Sequence, residues 1–252
     1  MNRSEIVDEI IKQAGTSRFE RVLDACCGNG GFAQILIEHG KERYDLHCET
    51  IYLADKSLDY VQLSRKFRST PNIKYVPGRI EQLPVEDGFF DLIVMGNALH
   101  HLEKVTCAIA ELCRVLRDSA ILVLIEGIED EGDGADEDLF NKFHRLIALM
   151  DQSNGMYHHR VYTMASLLQM LSKYVTVLQK VQFSVEMSND VCRQLAVQLN
   201  KRILLSNLNQ NIAFCKEVDK VCKELNLWGC EKTLVFILRP FFVYRFHTLQ
   251  AY

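Results

Sequence analysis

Histidines and carboxylates are spread along this chain of 252 residues, and a few sit where they could handle protons. His100-His101 is an adjacent pair just after an apolar run, and Glu126 ends another. His144 falls inside an apolar-striped stretch, and Tyr157-His158-His159-Arg160 packs donors and bases into four positions. An imidazole or carboxylate held against a reacting group adds about 10²–10⁴-fold as general base. His101, His100, Glu126, His144, His158 and His159 are the candidates for that role, and His101, Glu126, Tyr157, His158 and His159 make up the expected catalytic set. Each also has a structural reading: one of His100/His101 starting a helix, His144 on a solvent face, His158-His159 in a loop. No nucleophile–base pair shows in the sequence, and no C-x-x-C pair occurs among its nine cysteines. Cys26-Cys27 is adjacent, and Cys107, Cys113, Cys222 and Cys230 lack zinc spacing, so the expectation is small buried thiols and no metal.

A second set of residues suits a ligand rather than a proton. Val22-Leu23 ends a short buried strand at Asp24, and Gly28-Asn-Gly-Gly31 makes a turn with almost no side chains. Residues 32–38 then take helical spacing. Strand, glycine turn and helix let a ligand lie against bare backbone beside a helix N-terminus. Asp55 stands about 25 residues past the turn at the tip of a second strand. A carboxylate there can accept hydrogen bonds from both hydroxyls of a ribose.

These groups need elements to hold them. Helical spacing marks residues 4–14, ended by Gly15, and residues 32–38, with Gly40 as C-cap. Strands are expected at 51–54, 73–76, 90–95 and 120–125. Helices are expected from a Ser57 cap to Phe67 and from Val105 to Leu116. Strands alternating with helices imply a mostly parallel sheet covered on both faces, with ligands bound along the edge of strand C-termini. Asp24, Asp55, Asn97 and Glu126 all fall at or just past such ends. Farther on, residues 127–138 are acidic and glycine-rich, which predicts a mobile loop. Residues 139–150 read as a helix, and Thr163 caps another running to Leu171. Residues 175–185 read as one long strand or two short ones. Residues 189–225 read as two helices broken near 206–209, and 233–238 as a final strand that Pro240 ends.

Several pieces together resemble one family, the class I S-adenosylmethionine-dependent methyltransferases, of the small-molecule group that includes quinone-ring methyltransferases. They are Val22-Leu-Asp-Ala-Cys-Cys-Gly-Asn-Gly30, Leu53-Ala-Asp-Lys-Ser57, Gly78-Arg-Ile-Glu-Gln-Leu-Pro-Val85, Phe89-Phe-Asp-Leu-Ile93, Ala98-Leu-His-His-Leu102 and Leu112-Cys-Arg-Val-Leu116. The resemblance covers residues 20–126 well and the remainder only in layout. It implies an α/β, Rossmann-like, seven-stranded sheet whose last strand, residues 233–238, is antiparallel, with helices on both faces and a helical insertion between the last two strands. It implies S-adenosyl-L-methionine as cofactor, held by Asp24, Cys26, Gly28, Gly30, Asp55, Lys56, Ile80, Glu81 and Asn97. In that scheme Asp24 orders the turn or meets the ligand's ammonium through water. Ile80 and Glu81 offer backbone contacts to the adenine edge, and Asn97 lies near the methionine part.

Three positions depart from the family pattern. Cys26 replaces the first glycine of the turn, Arg79 stands where an aspartate often faces adenine, and residues 117–120 replace a proline-glycine turn. The glycine turn also fits a forced G-x-G-x-x-A for NAD. A dehydrogenase, however, has no need of the 78–91 block.

The expected function is methyl transfer to a small-molecule O, N or C acceptor. The alternatives are a protein or peptide acceptor, or a non-catalytic cofactor-binding partner protein. Net charge is −4, so no large nucleic-acid surface is expected. The longest apolar runs are too short to span a bilayer, and the N-terminus does not read as a secretory signal. Reduced cysteines point to the cytoplasm. One domain over 1–252 is expected, as a monomer or homodimer. Residues 127–162 and 189–225 are expected to form a lid, with at least one of Tyr157, His158 and His159 facing the transferable methyl and His101 facing the same cavity.

Overall fold

The computed structural model describes residues 3–70, 72–129, 139–174, 185–187, 189–227, 234–236 and 241–245. The elements of the main sheet are β1 (Arg18–Ala25), β2 (His47–Asp55), β3 (Ile73–Pro77), β4 (Phe90–Gly96), β5 (Leu116–Ile125) and a strand at Phe241–Arg245. Across the sheet the order is Phe241–Arg245, β5, β4, β1, β2, β3. The first five strands pair in parallel, and Phe241–Arg245 runs antiparallel to β5, with Val243 opposite Val123.

Strand periodicity sorts the side chains onto two faces. Leu23, Ala25, Ile93, Met95, Leu122 and Leu124 join one buried cluster. There they pack against α4 (Val105–Val115) and α6 (Met164–Leu171). Val22, Leu53, Leu92, Val94, Ile121 and Val123 point the other way. They pack against α1 (Arg3–Ala14), α2 (Gly31–Tyr44) and α3 (Tyr60–Lys66). Each fully buried Leu, Ile or Val contributes roughly 1.5–3 kcal/mol, so burial on both faces holds the strand tips in place.

A third cluster stands apart from the sheet. It joins α5 (Leu139–Ser153) to α7 (Asn189–Leu205) and α8 (Ile212–Leu227) through Phe143, Leu146, Met150, Leu199, Ile203, Val221 and Leu225. The two segments expected to form a lid therefore pack on each other.

Several expectations are corrected. The main sheet has six strands among the described residues. The strand antiparallel to β5 is Phe241–Arg245, not residues 233–238. Within 233–238, Leu234–Phe236 pairs instead with Val185–Met187 as a separate two-stranded ladder. Both segments are apolar, and apolar periodicity cannot tell which of two neighbouring strands joins which sheet. Helix α2 does not stop at Gly40 but runs to Tyr44, with Asp45 as C-cap. Gly40 is there for packing: a Cβ on it would strike the Leu46 side chain. Helix α3 is capped by Asp59, which accepts the Gln62 N–H at 2.9 Å, and not by Ser57. The acidic stretch from 130 to 138 and most of the strand expected over 175–185 lie outside the described residues.

Candidate active site

One cavity of about 1030 Å³ opens along the C-terminal edge of β1, β2, β4 and β5. At one end are Asp24, Cys26, Gly28, Asp55 and Lys56. Gly78, Arg79, Ile80 and Glu81 form a side, and Gly96, Asn97 and Ala98 the middle. His101, Asp151, Met156 and Tyr157 form the far end.

The glycine-turn end is set by main-chain hydrogen bonds. Asp24 is buried and accepts the Ala33 N–H at 3.0 Å, which ties the end of β1 to the first turn of α2. Asp55 Oδ2 accepts the Gly28 N–H at 3.0 Å, and Oδ1 accepts the Ser57 N–H at 2.9 Å. A carboxylate has about four acceptor sites, so Asp55 keeps capacity for ligand hydroxyls while it orders the turn. Cys26 stands at φ 56°, a left-handed conformation that normally favours glycine. Burial, with Asp55 and Glu81 nearby, pushes its thiol up to about 12, so it is neutral and not a nucleophile at pH 7. Gly30 is left-handed at φ 67°, and a Cβ there would sit 2.6 Å from the Phe67 ring. Arg79, the departure from the family's aspartate, pairs with Glu81 at 3.3 Å and remains exposed.

The far end is built from side chains. Glu126, just past β5, is buried. One oxygen accepts the N–H groups of Ala98 and Leu99 at 3.1 and 3.0 Å, and the other bonds His100 Nδ1. Glu126 does not line the cavity. It holds the short 3-10 turn Leu99–His101 that carries His101 into the cavity wall. His101 is exposed on the cavity wall, and partial desolvation by its packed neighbours, with the imidazoles of His100 and His158 close by, lowers it from the usual imidazole range. Its ring faces the cavity, so solvent screens part of that effect. His158 is buried with its Nδ1 2.7 Å from Asp151, and does not line the cavity. His159 is exposed; its N–H donates to His100 O at 2.7 Å and its ring stacks on Tyr162. Tyr157 lines the cavity and is 43% exposed.

Of the residues expected at the site, Asp24, Cys26, Gly28, Asp55, Lys56, Ile80, Glu81, Asn97, His101 and Tyr157 line this one cavity. Gly30 caps α2 beside it. Glu126 and His158 are buried behind the wall, and His159 is exposed and does not line the cavity. Among the described residues, none of 189–225 lines it. Asp151 and Met156 were not expected: an aspartate near the end of a helix and a methionine in a turn carry no spacing signal.

The sequence pattern of the methyltransferase domain family matches residues 23–124, which run from the end of β1 through nearly all of β5 and take in the cavity's glycine-turn end. The uncharacterized methyltransferase YcgJ of Bacillus subtilis is 27% identical over 140 residues, 54% of this chain and 52% of that one. The demethylmenaquinone methyltransferase of Geobacillus kaustophilus is 24% identical over 119 residues, 47% of this chain and 50% of that protein. The chain thus spans about half the length of these curated relatives. The crystal structure of YcgJ superposes with a TM-score of 0.54 at 21% identity, over 78% of this chain and 83% of that one. The N-methyltransferase NodS of Bradyrhizobium japonicum, solved with S-adenosylhomocysteine, superposes at 0.50 and 17% identity, over 73% and 80%. The fold is that of the class I methyltransferases, and residues 23–124 match the methyltransferase domain family.

Proposed function

We propose that the chain transfers the methyl group of S-adenosyl-L-methionine to a small-molecule O, N or C acceptor. The observation that carries this is the shared cavity: the glycine turn, Asp55 and the Ile80-Glu81 edge at one end, His101 and Tyr157 at the other. Its volume stands at the top of the roughly 300–1,000 Å³ of a pocket for one drug-sized ligand, which suits cofactor and acceptor side by side. Asp55 would hold the ribose, Ile80 and Glu81 the adenine edge, and Asn97 the methionine part.

The sulfonium already activates the methyl carbon, so the protein's work is alignment and exclusion of water. A neutral His101, lowered from the usual imidazole range, is a weak base but a good hydrogen-bond acceptor for an acceptor's O–H or N–H. Tyr157 would complete the acceptor's contacts. The small-molecule reading is supported by relatives such as the demethylmenaquinone methyltransferase. Among the described residues no helix is long and apolar enough to cross a membrane. A cytoplasmic setting, as monomer or homodimer, belongs to the same proposal.

Melting curves test the cofactor. Ligand at 100 times its dissociation constant stabilises a one-site protein by about 2.7 kcal/mol, roughly 5–10 °C for a chain of this size. S-adenosylmethionine and S-adenosylhomocysteine are expected to give that shift and NADH none. A shift with NADH alone would overturn the reading.

A further inference from the structure

Behind the His101 wall, three imidazoles from three parts of the chain meet: His100 on the 3-10 turn, His144 on α5, and His158 in the connection after α5. One ring nitrogen from each lies within 4.8 Å of the other two. The His100 ring centroid is 5.3 Å from that of His144 and 5.2 Å from that of His158. Two of the three rings, the central His100 and the outer His158, are oriented by carboxylates. Glu126 bonds His100 Nδ1 and Asp151 bonds His158 Nδ1, and both acids are buried. A carboxylate on Nδ1 fixes the proton there and leaves Nε2 as a lone-pair donor, the arrangement found behind metal-bound histidines. Arg202 pairs with the other oxygen of Asp151, so that carboxylate is itself held.

We propose that His100, His144 and His158 form a binding site for one divalent transition metal of the zinc class, with Glu126 and Asp151 orienting two of the ligands. An all-imidazole set selects zinc, cobalt, nickel or copper over magnesium and calcium, which want oxygen. Bonds of about 2.05 Å in a tetrahedron put ligand nitrogens roughly 3.4 Å apart. The rings reach that by moving together less than about 1 Å each. Three protein ligands leave a fourth position for water or another small ligand. Metal ligation takes imidazoles in their neutral form, each through one ring lone pair. Bound metal would tie α5 and the connection after it to the turn beyond β4. It would thereby set the wall from which His101 and Tyr157 face the cavity, without itself touching the methyl donor.

Cobalt(II) titration of the whole chain, freed of metal by chelation, tests this. One equivalent is expected to bind with the strong visible absorption of a tetrahedral site and no thiolate-to-cobalt charge-transfer band. Zinc should displace it and raise the melting temperature, and magnesium should do neither. His144→Phe is expected to weaken cobalt binding at least 100-fold, and Asp151→Asn to weaken it about 10–100-fold while all three ligands remain. Circular dichroism and the S-adenosylhomocysteine melting shift check that each variant folds, and His144→Gln replaces His144→Phe if that one does not. Binding that survives loss of His144, a thiolate band, or no binding at millimolar cobalt would each overturn the site. None of these outcomes depends on whether methyl transfer is found.

Discussion

At the glycine-turn end of the cavity, Asp24 and Asp55 hold backbone N–H groups, Ala33 from one and Gly28 and Ser57 from the other. At the histidine end, Glu126 does the same for Ala98 and Leu99, but its second oxygen holds His100. Asp151 holds only side chains, His158 and Arg202. The device is the same, a buried or half-buried carboxylate at or near an element's end. What differs is the cargo. Where carboxylates hold main chain, side chains are left out and a ligand meets backbone. Where they hold imidazoles, the wall is made of groups that can be exchanged without moving the sheet.

Breaking the shared device should show this most strongly at Glu126. Glu126→Ala strands two buried N–H groups and the His100 ring together, and loss of one partner from such a buried pair costs about 3–5 kcal/mol. Urea unfolding measures it, with Glu126→Gln expected to recover most of the loss. A cost below about 1 kcal/mol would mean that the turn does not depend on this carboxylate. Next comes Asp55→Ala, expected to weaken S-adenosylhomocysteine binding by roughly 10- to 150-fold through loss of charge-assisted bonds of about 1.5–3 kcal/mol. Unchanged affinity by calorimetry would remove Asp55 from the ribose. Within the turn, Gly30→Ala should cost about 1–2 kcal/mol for the left-handed backbone and more for the Phe67 contact, whereas Gly28→Ala meets no neighbour within 4 Å and should cost less.

The two ends should also part in acid. His144 is held down to about 3 in the folded chain against 6.5 for an ordinary histidine, and His158 is lowered too. Below pH 6.5 the unfolded chain binds protons that these rings refuse, so stability falls as pH drops from about 6.5 toward 3. Urea midpoints with chelator present should follow that slope, and His144→Phe should flatten it. The smallest effect is expected from Tyr157→Phe: S-adenosylhomocysteine affinity unchanged within about twofold, because the residue sits at the far end, while turnover of an acceptor falls. A matching loss of cofactor affinity would place Tyr157 on the cofactor instead.

The strands and helices between residues 20 and 126, the glycine turn and the place of Asp55 at a strand tip could be read from the sequence because each is a local pattern. A buried strand is a short apolar run, a left-handed turn asks for glycine, and a helix face repeats every 3.6 residues. The same holds for the Thr163 cap, whose hydroxyl accepts the Ser166 N–H at 3.2 Å. Local pattern failed where two solutions shared one signal. Residues 233–238 and 241–245 both look like strands, and only pairing with β5 separates them. Glu126 and the three histidines looked equally fit for catalysis, and burial alone set Glu126 and His158 behind the wall and His101 in it.

Chemistry carried by neighbours in the chain was therefore determined residue by residue: the turn, the strand tips, the family. Chemistry carried by residues brought together across the chain was not. His100 meets Glu126 from 26 positions away and Asp151 meets Arg202 from 51. No periodicity links such positions, because the distance between them is fixed by packing on both faces of the sheet and by the helix cluster of α5, α7 and α8.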